Sequence, residues 1–118
     1  MSAALLASDG RVVCPRLAVA DSARTRMKGL LGRRGLAPGE GLLLRPAGSV
    51  HTAFMRFAID VVFLDGELRV LRIVSRLRPW RAARARGAKA VLELPSGECE
   101  RRGLAIGHEL MLVPPPGH

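Results

Sequence analysis

Tyrosine is missing from this chain of 118 residues, and its aromatic complement is three phenylalanines and one tryptophan. Proteins that track single-stranded nucleic acid lay successive bases on aromatic side chains, so an extended stacking platform of that kind is excluded. Lysine is scarce as well, with Lys28 and Lys89 alone among nineteen basic residues. The two cysteines, Cys14 and Cys99, stand far apart, which excludes a closely spaced zinc pair and a redox CxxC motif. Free, reduced thiols are expected of both. Long apolar runs are missing too. Stretches such as 59–64 and 41–44 fall well short of the ~20 residues that span a bilayer. Residues 1–7 lack the basic start, long apolar middle and small-residue cleavage site of a secretory signal. No membrane partner and a cytoplasmic location are therefore expected.

Acidic residues number ten against nineteen basic ones, leaving a net charge of +9. Such a balance favours anionic partners, either nucleic acid or a small phosphorylated or carboxylated ligand. Arginine enrichment beside abundant alanine and glycine is also what GC-rich coding produces without selection for binding. A chain of this size buries roughly two thirds of the surface its unfolded form exposes, enough for a core without metal or disulfide. One domain over 1–118 is expected, with 1–10 and 114–118 flexible.

Residues 11–20 alternate loosely as a short strand, with Pro15 favouring an edge. Asp21 or Ser22 then caps a helix of about three turns in which Met27, Leu30 and Leu31 recur at helical spacing and Gly29 and Gly32 limit its length. Residues 33–41 form a loop, and 42–44 a short buried strand. The longest strand-like region is 49–64. Asp65-Gly66 signals a two-residue hairpin returning through 68–74, with a longer loop ending at Leu68 as the alternative. Residues 76–90 are the least regular, 91–94 are strand-like, 98–102 form one helical turn capped by Gly103, and 109–113 make a final strand. Many short strands and few helices point to a mainly β sandwich or barrel.

Four blocks stand out in order: Arg26-x-x-Gly29-Leu30-Leu31-Gly32-Arg33; Gly39-Glu40-Gly41-Leu42-Leu43; His51-Thr52-x-Phe54-Met55-Arg56-Phe57 running on to Ile59-Asp60-Val61-Val62-Phe63-Leu64-Asp65; and Ala88-Lys89-Ala90-Val91-Leu92-Glu93-Leu94-Pro95-x-Gly97. Together they resemble the family catalogued as domain of unknown function 192, over roughly residues 15–112. The resemblance implies a jelly-roll-like β-sandwich or partly open barrel with one short helix near its start, and it implies no known reaction. Ala58 stands where the family often has proline, which makes the 51–64 strand more regular. His108-Glu109 stand near a usual Gly-Asp, so a role of that Asp does not carry over.

If 51–60 is one extended strand, His51, Met55, Phe57 and Ile59 share one face, and Thr52, Phe54, Arg56 and Asp60 the other. His51 is then either a rim histidine bonded to a carbonyl or a ligand contact. Arg56 and Asp60 lie about 13 Å apart on such a strand and do not pair directly. Arg56 is expected to reach solvent, to meet a carboxylate of Glu40, Asp60 or Glu93, or to capture an anion, since its guanidinium fork suits phosphate and carboxylate. Arg33 fits a helix C-terminal cation. The glycines do not make a phosphate loop, because the helix precedes them.

From Arg69 to Lys89 the chain carries Arg72, Arg76, Arg78, Arg81, Arg84 and Arg86 with no acidic residue. A solvated basic surface and a stripe tracking a phosphate backbone both fit, with Arg72, Arg76 and Arg78 sharing strand parity. Enzyme signatures are absent: His51, His108 and His118 show no HExxH spacing, and no GxSxG elbow occurs. The leading expectation is a non-enzymatic binding or accessory module that takes an anionic small molecule at His51, Thr52, Arg56, Asp60 and Glu40. A nucleic-acid-binding protein using Arg72 through Lys89 is the alternative, and a small hydrolase-like enzyme with His51 beside Glu40 or Asp60 the third. No catalytic residue, metal or cofactor is expected.

Overall fold

How many faces of an apolar segment are covered decides where it sits in a sheet. The computed structural model describes residues 2–20, 35–52 and 55–115. Among these, β1 (Ser2–Ala7), β2 (Val12–Ala20), β3 (Glu40–Leu44), β4 (Ser49–His51), β5 (Ile59–Leu64), β6 (Val70–Leu77), β7 (Ala82–Arg84), β8 (Ala90–Pro95) and β9 (Leu110–Val113) are strands. One helical turn, α1 (Glu98–Arg101), links β8 to β9. Seven strands form one sheet in the order β6-β5-β8-β3-β2-β1-β9, curled into a half-barrel, while β4 and β7 pair as a separate ribbon. The architecture is mainly β, as the sequence indicates. The helix expected after Asp21 or Ser22 lies outside the described residues.

β5 and β8 are buried at every position. Strands apolar on both faces except for Asp60 and Glu93 need cover on both sides, and these two lie side by side in the sheet. One face presents Leu5, Leu17, Leu43, Val62, Leu64, Leu92 and Leu94. The other presents Leu42, Leu44, Ile59, Val61, Phe63 and Val91, with Val50 of the ribbon and Met55 packed against it. Burying each such leucine or phenylalanine contributes on the order of 2 kcal/mol. Ion pairs such as Arg11–Asp9 and Arg69–Glu109 are exposed and screened by water, so they add little. Packing is tight where β3 meets its neighbours: a Cβ on Gly41 would lie 2.8 Å from Cys14 Sγ and 3.0 Å from Leu94 Cδ2.

Several local expectations change. The 49–64 segment is not one strand, because β4 stops at His51 and β5 starts at Ile59, and Met55 N–H donates to Thr52 O at 3.2 Å. The face assignment made for a continuous 51–60 strand therefore does not hold. β2 is internal rather than at an edge, pairing with β1 on one side and β3 on the other. Pro15 falls at a register shift against β1, and pairing to β3 begins only at Arg16, so its missing N–H interrupts no ladder. Residues 2–7, where flexibility was expected, form β1 with Leu5 fully buried.

The β5–β6 connection takes the longer form. Asp65 Oδ1 accepts from Glu67 N–H and Arg69 N–H, both at 2.9 Å, and Leu68 adopts φ 63°. These amides, that of Arg69 first, hold the Asp65 carboxyl below the usual range. The turn near 98–102 forms as expected, bracketed by Gly97 at φ 90° and Gly103 at φ 68°. Burial opposes ionisation of Glu98, yet Arg102 and Arg101 donate to it at 3.2 and 2.6 Å and lower its pKa.

Candidate functional site

Thr52 follows β4 and is fully buried, and its polar atoms all serve one turn. Its hydroxyl donates to Arg78 O at 2.6 Å and accepts from Arg81 N–H at 2.8 Å. Its backbone N–H donates to Arg81 O at 2.8 Å, and Trp80 N–H donates to its carbonyl at 3.0 Å. One threonine thus pins the 78–81 turn, and the ribbon continues from there. His51 pairs with Ala82, Val50 with Ala83 and Ser49 with Arg84. Alternation buries Val50 and leaves Ser49, His51 and Arg84 exposed on the outer face.

This pairing joins two stretches that are far apart in sequence. His51 comes to lie beside the basic segment, whose Arg78, Arg81, Arg84 and Arg86 are all exposed. Neither 41–59 nor 68–92 contains an acidic residue, so neither contributing segment brings a carboxylate to the ribbon. Arg56 is exposed just beyond the turn that closes on Thr52 O, and among the described residues it makes no ion pair with Glu40, Asp60 or Glu93.

The other expected site residues lie elsewhere. Asp60 is fully buried on the face of Val62 and Leu94. Its Oδ1 accepts from Arg76 N–H at 2.9 Å and its Oδ2 from Cys99 N–H at 3.0 Å, which ties β6 and α1 to β5. Glu40 accepts from Ala37 N–H at 2.7 Å and faces the opposite side of the sheet, with Leu42 and Leu44. Strands β8 and β5 separate β3 from β6, about 14 Å at ordinary strand spacing. Asp60 sits on the face of the sheet opposite the one against which Val50 of the ribbon packs. The parity stripe of Arg72, Arg76 and Arg78 is broken: the β5–β6 register shifts between Ile59 and Val61, Arg76 adopts φ 53°, and Arg72 Nη1 is spent on Arg84 O.

Two features were not singled out as site residues from sequence. Trp80 stands 61% exposed at φ 62°, directly on the turn that Thr52 holds; its only signal was the Pro-Trp pair inside a basic stretch. Glu93 is 4% exposed between Leu42 and Val61. Burial alone pushes its pKa up to about 7. Cys14 and Cys99 are buried and unbridged. Burial raises both thiols, Cys14 to about 11, and neighbouring Asp60 adds to the shift at Cys99.

Among the described residues no three His, Cys, Asp or Glu side chains converge as metal ligands would, and no helix is long and apolar enough to cross a membrane. A recess of about 560 Å³ lies near Ser2, Pro15, Arg16 and Ala18, with Arg16 Nη2 donating to Pro38 O at 2.8 Å. That recess shares no residue with the ribbon.

Comparison with known proteins agrees with the fold. Residues 4–112 match the family model for domain of unknown function 192, described as "Uncharacterized ACR". A UPF0127 protein of Thermococcus sibiricus is 34% identical over 110 residues, covering 86% of this chain and 68% of that protein. One from Pyrococcus furiosus is 41% identical over 63 residues, or 52% of this chain and 53% of its own length. The crystal structure of a protein of unknown function from Novosphingobium aromaticivorans superposes with a TM-score of 0.79 at 24% identity, covering 94% of this chain and 84% of that one. That of a putative transcription regulator from Sinorhizobium meliloti does so with a TM-score of 0.81 at 23% identity, covering 94% and 92%. At such identities the two structures speak for the fold alone.

Proposed function

Because the chain belongs to the family of domain of unknown function 192, which is described only as uncharacterized, we propose from its own geometry that it is a non-enzymatic binding module for an anionic ligand. The observation that carries this reading is the β4–β7 register, which pairs His51 with Ala82 and Ser49 with Arg84 and so joins His51 to the segment whose Arg78, Arg81 and Arg84 are exposed. Positive charge on two segments that carry no acidic residue of their own favours a phosphate or carboxylate partner, and guanidinium groups bind either through paired hydrogen bonds. Arg56, exposed in the link from β4 to β5, is a further anion contact in this reading. Thr52 supports it from beneath by holding the 78–81 turn.

The test is calorimetric titration with inorganic pyrophosphate. Arg56→Ala and Arg81→Ala should each weaken binding about tenfold, as expected for loss of a charge-assisted contact, with unchanged thermal unfolding. Undiminished affinity in both variants would remove the ribbon from the site. A polynucleotide is the second reading, favoured by the exposure of Arg78, Arg81, Arg84 and Arg86 along one segment. In that case the same titration with labelled DNA or RNA shows a salt slope that falls by about one for each arginine removed.

A further inference from the structure

The ribbon turn presents an aromatic side chain as well as charge. Trp80 is the single tryptophan of the chain, is 61% exposed, and sits between Arg78 and Arg81, both exposed. Large aromatic surfaces are normally buried in a fold of this kind, and this one is displayed on a rigid support. Trp80 adopts φ 62°, a conformation that residues with a Cβ rarely take. The turn keeps it because Trp80 N–H, Arg78 O, Arg81 N–H and Arg81 O are all bonded to the buried Thr52. An exposed ring held in an unfavourable backbone conformation by a buried residue is pre-organised for contact.

We propose that Trp80 stacks on the base of a nucleoside phosphate while Arg78 and Arg81 hold its phosphates. The inference rests on the anion-binding reading and names the ligand class for that site. Base stacking on tryptophan tolerates any base and gains from adjacent guanidinium groups. One tryptophan suits one nucleotide unit, either free or within a single strand, and not an extended run of stacked bases.

The protein carries its own probe. With no tyrosine and one tryptophan, its intrinsic emission reports on Trp80. Titrations with ADP, with inorganic pyrophosphate and with a short single-stranded oligothymidylate separate the contributions of base and phosphate. Emission should be quenched saturably by ADP and the oligonucleotide, and should hardly change with pyrophosphate. Trp80→Leu, followed by calorimetry, should weaken ADP binding about tenfold and leave pyrophosphate binding intact. Tighter binding of ADP identifies a free nucleotide as the source of this chemistry, and tighter binding of the oligonucleotide identifies a single strand; either result supports stacking. If ADP and pyrophosphate bind equally well to wild type and to Trp80→Leu, stacking is overturned and the anion site stands. If none of the three probes binds near physiological salt, both the anion site and the stacking role fall. Circular dichroism melting of Trp80→Leu confirms that this exposed position has been changed without loss of fold.

Discussion

Asp60→Ala should lower the stability of the fold by about 3–5 kcal/mol, since it leaves one buried and one partly buried amide without acceptors and a cavity in place of the carboxyl. Arg76 N–H and Cys99 N–H both donate to this carboxyl, at 2.9 and 3.0 Å, and Asp60 is fully buried. The loss should be concentrated where those amides lie, at the end of β6 and the start of α1. Asp60→Asn keeps the shape but offers one acceptor for two donors, so it should fall between wild type and alanine. Urea unfolding measures the total, and amide hydrogen exchange at Arg76 and Cys99 shows its location. A change below about 1 kcal/mol in Asp60→Ala would mean that this carboxyl does not organise the sheet.

Glu93 should make the protein less stable as pH rises. Its folded pKa is raised to about 7 from an ordinary value of 4.5, and burial between Leu42 and Val61 is the cause. Between these two values the folded chain retains a proton that the unfolded chain has released. Stability therefore falls with rising pH across that window, by roughly 3 kcal/mol in all, and levels off above it. Glu98 has the opposite sign: its lowered pKa gives stability that is lost as pH falls below the ordinary glutamate range. The two windows separate. Glu93→Gln should abolish the decline from pH 4.5 to about 7 and should be more stable than wild type by roughly 2–3 kcal/mol near pH 8. Parallel curves for variant and wild type would place the titrating group elsewhere.

The fold was legible where local pattern and burial coincide. Ile59–Leu64 and Ala90–Pro95 are apolar runs broken only by Asp60 and Glu93, and they became the two fully buried strands. Gly97 and Gly103, both at positive φ, mark the ends of the α1 turn much as turn chemistry requires. Legibility ended where a partner is distant or a backbone angle is unusual for its residue. β4 and β7 are three residues each, too short to show a period, and their pairing joins His51 to Ala82. Asp60 was visible as a polar residue in an apolar run, but its amide partners lie 16 and 39 residues away. Positive φ at Arg76 and Trp80 is imposed by those tertiary contacts and by Thr52, and side chains of these types give no hint of it. Stripe parity for Arg72, Arg76 and Arg78 failed for that reason.

The most direct measurement is a proton–nitrogen correlation titration of the labelled protein with inorganic pyrophosphate at physiological ionic strength. The account predicts saturable shifts confined to residues 49–52, 56 and 78–86, with the amides around Ser2, Arg16 and Ala18 unmoved. No saturable shift, or one centred on that second recess, would contradict an anion site on the β4–β7 ribbon.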